Sequence, residues 1–212
     1  MQKKILSSTS SLKFFDKKLS EDEIIDVLSD IKHRIFPRPF ERLSCVRDKK
    51  NLVGIEIGVA GGEHALSLLE TLDIKKLYLI DPYDLYDGYD EGKKHFDVDQ
   101  LNISETKAAA RNLLAEYHDK IIWIEDLSDV ACNNIKDQVD FVYIDGNHQY
   151  EYVQSDIENY FKLIKSGGVL GGHDYYNGFQ REHDGVVKAV TSFVNKSNNT
   201  LRVELPDWWL EL

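Results

Sequence analysis

The sequence predicts an α/β fold, in which a doubly wound and mostly parallel sheet lies between two layers of helices. Short apolar runs of strand length alternate with segments of helical periodicity from residue 52 to residue 195. The first run passes through a glycine-rich turn, residues 58–62, directly into a helix. Five of the runs end in glycine or polar residues, as expected where parallel strands present their carboxyl ends to a ligand.

The individual elements follow from this alternation in chain order. The five parallel strands are predicted over residues 52–57, 77–80, 121–124, 141–144 and 169–172. The helices are predicted near residues 62–72, 104–118, 127–137, 150–165 and 183–195. Two short runs around a turn at Pro206 and Asp207 predict an antiparallel strand pair at the C-terminal edge.

The helix near 150–165 has the clearest pattern of the five. Its apolar residues form one stripe at helical spacing: Tyr150, Val153, Ile157, Phe161 and Ile164. Gly167 and Gly168 follow the stripe, and we expect them to end the helix.

The N-terminal region differs from the rest of the chain. Residues 1–19 are polar and weakly patterned, which indicates a loose arm. Ser20 and Glu23 form a capping box, and the apolar spacing behind them predicts a helix to about Phe36. We therefore expect an N-terminal arm and helical extension over residues 1–48 and a single α/β domain over residues 49–212.

Composition limits the kinds of partner and compartment. The chain has 212 residues, 42% of them hydrophobic, and a net charge of −11, which argues against nucleic acid and anionic membrane as partners. Cys45 and Cys132 have no metal-like spacing and predict no disulfide, which favours a reducing compartment. Without a signal-peptide pattern or an apolar run of membrane-spanning length, we expect a soluble cytoplasmic protein and leave a homo-oligomer open.

The glycine-rich turn is the first candidate binding site. A turn of this kind lets a cofactor lie against bare backbone, with the amides at the start of a helix directed at the ligand. The candidate cofactor residues here are Glu56, Gly58, Gly61, Gly62 and Glu63. Asp81 ends the second apolar run, where an acidic side chain commonly holds the two hydroxyls of a ribose.

The ends of the fourth and fifth strands carry a second group of polar residues. Asp145 and Asp174 are expected to project from adjacent strand ends, within reach of one ion, and such oxygen ligands with at most one imidazole suit Mg²⁺ or a similar divalent ion. His148 is a candidate general base, because an unperturbed imidazole titrates near working pH. Taken singly, Asp145 is also consistent with a helix cap, and either His148 or His173 with a hydrogen bond to a ligand carboxylate.

Segment 82–104 is long for a connection between a strand and a helix. It holds four aromatic residues among six acidic ones. A solvated acidic loop and a lid over a pocket are both consistent with this composition.

With these residues assembled, the chain from about Leu52 onward resembles the class I S-adenosylmethionine-dependent methyltransferases, which have a Rossmann-like three-layer αβα fold. Residues 56–62 are similar to the motif that cradles the methionine and ribose parts of the cofactor. Asp81 matches the ribose ligand of the family, and Asp126 with Leu127 falls where the adenine ring is contacted. The predicted C-terminal strand pair matches the antiparallel edge that separates this family from nicotinamide-binding folds.

Within that family, the strand ends resemble the small-molecule branch, which includes metal-dependent catechol and macrolide-sugar O-methyltransferases. Asp145 matches the metal-binding aspartate of the catechol-type enzymes, and is expected to border the cofactor as well. His148 replaces their catalytic lysine, and His173 with Asp174 replaces an aspartate and an asparagine. The resemblance implies methyl transfer to a hydroxyl of a sugar or natural-product acceptor, with Asp145, His173 and Asp174 as metal ligands and Asp145 and His148 as catalytic residues.

Three alternatives use some of the same residues. A nicotinamide-dependent oxidoreductase also needs a glycine turn and an acidic second strand, but residues 58–62 lack the dinucleotide spacing. A non-catalytic binding module leaves Asp145, His148 and Asp174 without a purpose. A metal-dependent hydrolase leaves the glycine turn and Asp81 unexplained.

Overall fold

A computed structural model describes residues 37–86, 88, 100–175, 184–197 and 199–212. Within them, seven strands form one sheet with the order β3-β2-β1-β4-β5-β7-β6. The strands are β1 (Leu52–Ile57), β2 (Ile74–Ile80), β3 (Ile121–Ile124), β4 (Val139–Ile144), β5 (Ile164–Gly172), β6 (Leu201–Glu204) and β7 (Asp207–Glu211). The first five are parallel, and β7 pairs antiparallel with both β5 and β6. The predicted fold class, with its antiparallel C-terminal pair, is confirmed.

Helices cover both faces of this sheet. They are α1 (Ser44–Arg47), α2 (Glu63–Thr71), α3 (Gln100–Leu113), α4 (Ser128–Ala131), α5 (Tyr150–Phe161) and α6 (Asp184–Lys196). Turns of 3₁₀ helix span Phe40–Arg42, Ala115–Tyr117 and Cys132–Asn134. Within the described part of the chain, no helix combines the length and the apolar character that crossing a bilayer requires.

The strands read as continuous apolar runs because both of their faces are buried. In β2, Tyr78 and Ile80 belong to one core, together with residues of α4, α5 and α6. Leu77 and Leu79 belong to the opposite core, with residues of α2 and α3. Alternation of side chains along a strand thus places a hydrophobic layer on each face of the sheet.

Several element boundaries differ from the prediction, and Gly167 with Gly168, which were expected to end a helix, lie within β5. The helix expected over residues 150–165 ends at Phe161, and Ile164 instead begins β5. Ile164 pairs with Val139 of β4, and the amide of Val139 donates a hydrogen bond to the carbonyl of Leu163. Helical spacing at Ile164 is therefore coincidental, since β4 requires an extended partner at this point. The helix expected near 127–137 is also shorter, because α4 gives way to a 3₁₀ turn at Cys132.

Residues 37–48 pack on the sheet. Phe40 and Val46 are fully buried in the same core as α2 and α3. The helix predicted up to Phe36 lies outside the described residues, and the division of the chain at residue 48 stays a prediction.

The strand order places a crevice at the centre of the sheet. The chain proceeds outward from β1 to β3 and then returns to β4 on the other side of β1. At such a reversal the connections leave in opposite directions, so the carboxyl ends of β1 and β4 border an opening where ligands bind in open α/β sheets.

Candidate functional site

A cavity of about 600 Å³ lies at this crevice. Its wall includes Gly58, Asp81, Leu127 and Asp145, four of the predicted site residues. Its size is within the range of small-molecule sites. The structure therefore brings the glycine turn, the end of β2 and the end of β4 to one chamber.

The glycine turn requires a residue without a side chain at Gly58. This residue has φ +82°, and a Cβ there would lie 2.1 Å from the carbonyl oxygen of Asp145. The amide of Asp145 in turn donates to the carbonyl of Ile57 at 2.7 Å. Because the turn presses against the backbone at the end of β4, its position and that of Asp145 are fixed together.

Asp81 closes the glycine turn from the neighbouring strand. Its Oδ2 accepts hydrogen bonds from the amides of Val59 and Ala60, each at 3.0 Å, and its Oδ1 accepts from the amide of Tyr83 at 2.9 Å. An ionised carboxylate offers about four acceptor positions, so these three bonds leave capacity for a hydroxyl donor in the cavity. The role of Asp81 as a ribose ligand stays a prediction, to which the structure adds a role in shaping the turn.

The other residues predicted around the cofactor are absent from the described wall of the cavity. The side chain of Glu56 is 1% exposed and lies beneath the turn, with Oε1 2.9 Å from Nδ1 of His64. Burial raises the pKa of Glu56 well above its usual value, and lowers the pKa of His64 to about 4. Glu56 is the last but one residue of β1, and its side chain is buried in the structure. Its predicted contact with a cofactor stays a prediction.

Gly62 has φ +85°, a left-handed conformation that favours glycine, and it also packs closely against neighbouring residues. Its Cα faces α3, and a Cβ would lie 3.1 Å from Leu114 and 3.4 Å from Ala110. Gly61, Glu63 and Asp126 are likewise absent from the described cavity wall. Their predicted contacts with a cofactor remain untested.

A group of four polar side chains, here called the reactive cluster, comprises Asp145, His148, His173 and Asp174. Nε2 of His148 lies 2.9 Å from Oδ2 of Asp174 and 4.0 Å from Oδ1 of Asp145. Nδ1 of His173 lies 3.1 Å from the same Asp174 oxygen and 3.8 Å from the same Asp145 oxygen. The structure thus brings together the four side chains that the sequence predicted for the ends of β4 and β5.

Both carboxylates of the reactive cluster are held in the ionised form. Burial by itself would raise the pKa of Asp145, but His148 and the Arg38 guanidinium outweigh burial and lower the pKa. Contacts with His148 and His173 likewise outweigh burial at Asp174 and lower its pKa well below the usual range. Asp174 also has φ +59°, a left-handed conformation that strains a non-glycine residue and is often found at functional sites.

Arg38 is a site residue that sequence reasoning missed. Its Nη1 donates to Oδ2 of Asp145 at 2.7 Å and to the hydroxyl of Tyr143 at 2.9 Å. Tyr143 donates to Asp207 of β7, which also accepts from the amide of Phe40. These bonds hold the guanidinium against Oδ2 of Asp145, here called its outer oxygen. Flanking prolines at 37 and 39 were the available signal, since they stiffen the backbone around Arg38.

Asp156 on α5 is a second missed residue. It borders the cavity, is 2% exposed, and its Oδ1 accepts a hydrogen bond from Oγ of Ser128 at 2.5 Å. Burial raises the pKa of Asp156 to about 7, and neighbouring Asp129 adds to the rise. The spacing of Asp156 from Val153 and Tyr160 was the signal, because it places a carboxyl on the apolar face of the helix.

Asp156 predicts a distinctive dependence of stability on pH. An aspartate of the unfolded chain loses its proton near pH 4, whereas folded Asp156 keeps it to about pH 7. Its contribution to stability is therefore present at low pH and lost as pH rises through this window. Asp156→Asn should reduce the decline in unfolding free energy between pH 4 and 7 by on the order of 2–4 kcal/mol in urea titrations. Parallel pH profiles for the two proteins would contradict this assignment.

The sequence matches a known protein family over the region that contains this site. The sequence matches the family described as a methyltransferase domain over residues 55–175, a span that includes the glycine turn, Asp81 and the reactive cluster. Uncharacterized protein R132 of Acanthamoeba polyphaga mimivirus is 28% identical over 174 residues, which cover 77% of this chain and 72% of that protein.

Solved structures with the same fold have little sequence in common with this chain. A candidate caffeoyl-CoA O-methyltransferase from Staphylococcus aureus has a TM-score of 0.61 at 16% identity, covering 96% of this chain and 98% of that one. The SAH-bound methyltransferase PaMTH1 from Podospora anserina has a TM-score of 0.58 at 14% identity, with coverage of 96% and 93%. For the O-methyltransferase NovP the TM-score is 0.56 at 15% identity, with coverage of 76% and 71%.

Proposed function

Because the chain belongs to the methyltransferase-domain family and is a class I S-adenosylmethionine-dependent methyltransferase, we propose that it methylates a hydroxyl oxygen of a small-molecule acceptor. A sugar or a natural-product intermediate is the class of acceptor we favour. The observation that carries this proposal is the cavity whose wall includes both Asp81 and Asp145, with the other side chains of the reactive cluster close to Asp145. Two of the structures with this fold are named as O-methyltransferases, which agrees with an oxygen acceptor.

The cofactor half of the chamber is proposed to hold S-adenosylmethionine, whose sulfonium makes its methyl group electrophilic. Asp81 would accept a ribose hydroxyl, and backbone at Gly58 would leave room for the methionine part. Leu127 would cover one face of the adenine. Carboxylates along the wall favour a cationic ligand, and most of the rate would come from holding the acceptor oxygen in line with the methyl group.

The reactive cluster has the donor set of a divalent metal site. One ligand atom from each of Asp145, His148 and Asp174 lies within 4.8 Å of the others. Two ionised carboxylates and an imidazole suit Mg²⁺, Mn²⁺ or a similar ion. When bound, such an ion would make a coordinated acceptor hydroxyl more acidic.

The two imidazoles of the cluster are proposed to have different roles, one as a metal ligand and the other as a general base. Both contact the same oxygen of Asp174, so either side chain is placed to complete the ligand set. We assign His173 as the metal ligand and His148 as the base that takes the proton from the acceptor hydroxyl. The Arg38 guanidinium would hold the outer oxygen of Asp145, leaving Oδ1 directed to the cluster.

Calorimetry with S-adenosylhomocysteine tests the cofactor half. We expect the unaltered protein to bind, and Asp81→Asn to weaken binding about 10-fold, the effect of losing one charge-assisted hydrogen bond. Asp119→Asn, an exposed aspartate away from the cavity, is the matched control and should leave affinity unchanged. Absence of binding heat for both S-adenosylmethionine and S-adenosylhomocysteine would contradict the proposal.

Acceptor chemistry requires a separate measurement. Methyl transfer from labelled S-adenosylmethionine would be followed on pairs of catechols and sugars that differ only in a hydroxyl or an amine at one position. The proposal predicts label on the hydroxyl partner of each pair. Transfer confined to the amines would contradict the oxygen acceptor while leaving the methyltransferase assignment intact.

A further inference from the structure

We propose that Asp156, held by Ser128, accepts a hydrogen bond from the 6-amino group of the cofactor's purine and so makes the site selective for adenine. The inference rests on S-adenosylmethionine occupying the cavity described above. It concerns a helix, α5, for which neither the sequence motifs nor the resemblance predicted any contact with the cofactor.

The order of the strands indicates towards which strand the purine of a bound cofactor would extend. Asp81, the proposed ribose ligand, ends β2, and the next strand outward is β3. Leu127 and Ser128, which follow β3, border the same cavity. A nucleoside with its ribose at Asp81 and its base extended along the sheet therefore brings the base to Leu127 and Ser128.

Asp156 lies at that end of the chamber. Ser128 Oγ contacts its Oδ1, and the hydroxyl of Tyr160 donates to the carbonyl of Ser128 at 2.7 Å. No second hydrogen bond to Asp156 occurs among the described residues, although the side chain is almost fully buried. Ser128 contacts one oxygen of the carboxyl, which therefore keeps acceptor capacity for a second donor. The cavity that Asp156 borders is where such a donor would come from.

Adenine supplies the complementary group. Its 6-amino group carries two donor hydrogens, and both the ionised and the protonated carboxyl retain an acceptor oxygen for one of them. A base without that amino group leaves the buried oxygen unpaired, which is the condition under which a site rejects an analogue.

Binding of two ligands to matched variants tests the proposal. The ligands are S-adenosylhomocysteine and its analogue with hydrogen in place of the 6-amino group. The unaltered protein should bind the analogue about 10-fold more weakly, the effect of one buried hydrogen bond. In Asp156→Leu, which has a similar shape but no acceptor, the two ligands should bind within about 2-fold of each other. Asp156→Asn keeps an acceptor and should restore the preference.

Controls separate this proposal from its alternatives. Glu158→Gln, an exposed change on the same helix, should keep the full preference, and a thermal melt without ligand reports the folding of each variant. The proposal would be overturned if folded Asp156→Leu still preferred the ligand with the 6-amino group. It would also be overturned if this preference were lost in Asp129→Asn and not in Asp156→Leu. If neither ligand binds the unaltered protein, the assignment of the cofactor fails rather than the role of Asp156.

Discussion

Replacing Gly58 by alanine is expected to abolish measurable binding of S-adenosylhomocysteine and to destabilise the domain by roughly 3 kcal/mol or more. Two effects add at this position. The backbone has φ +82°, which costs an L-residue about 1 kcal/mol. The new Cβ would also lie 2.1 Å from the carbonyl oxygen of Asp145, so the turn and the end of β4 must move apart.

Gly167 provides a matched control for this change. It has a similar φ of +76°, but nothing lies within 4 Å of the position that a Cβ would take. Gly167→Ala should therefore show the conformational cost alone, about 1 kcal/mol, with cofactor binding preserved. Urea unfolding and calorimetry measure both properties. Equal destabilisation in the two variants would show that close approach to Asp145 does not matter.

Asp145→Asn should lower kcat/KM for methyl transfer by about 10³-fold, an effect of the size seen when a charged catalytic group is lost. The variant keeps the shape of the side chain but removes the charge between Arg38 and the other members of the reactive cluster. Divalent-ion affinity, measured by titration of the free protein, should fall by 100-fold or more. Affinity for S-adenosylhomocysteine should change by less than about 10-fold, because Asp81 and the glycine turn are intact.

Asp140 lies near the opposite end of β4 and supplies the control. It accepts from the amide of Val53 and pairs with Lys165, away from the cavity. Asp140→Asn should keep transfer within about 3-fold, even if stability falls. Unchanged metal affinity and turnover in Asp145→Asn would contradict the metal-assisted proposal.

Sequence patterns predicted the parts of the fold that are buried on both faces. Residues 77–80 of β2 are continuously apolar, and their strand was predicted correctly. The same strand begins earlier, at Ile74, where Lys75 is exposed and Lys76 reaches Asp137. Polar residues at a strand start carry no periodic signal, because only the hydrogen-bonded pairing to β1 keeps them extended.

The site shows the same division. Asp145 and Asp174 were predicted close together because parallel strand ends share one edge of a sheet, a rule that requires only chain order. Arg38 lies 107 residues from Asp145 along the chain, and Asp156 lies 28 residues from Ser128. Both contacts depend on how loops and helices pack together in three dimensions. The spacing of residues along the sequence gives no information about that packing. No sequence pattern links a single residue on such an element to its distant partner.

The link from Phe40 to Asp207 has a consequence for how an active molecule arises. This hydrogen bond joins residues 167 positions apart, and the same aspartate orients Tyr143 and, through it, Arg38. Closing so long a loop is entropically slow, and it completes the surroundings of Asp145 from opposite extremes of the described domain. A folding intermediate that has formed the central strands but not β7 would hold a formed nucleotide cradle and an unfinished acceptor side. Refolding kinetics should therefore show cofactor affinity returning before turnover.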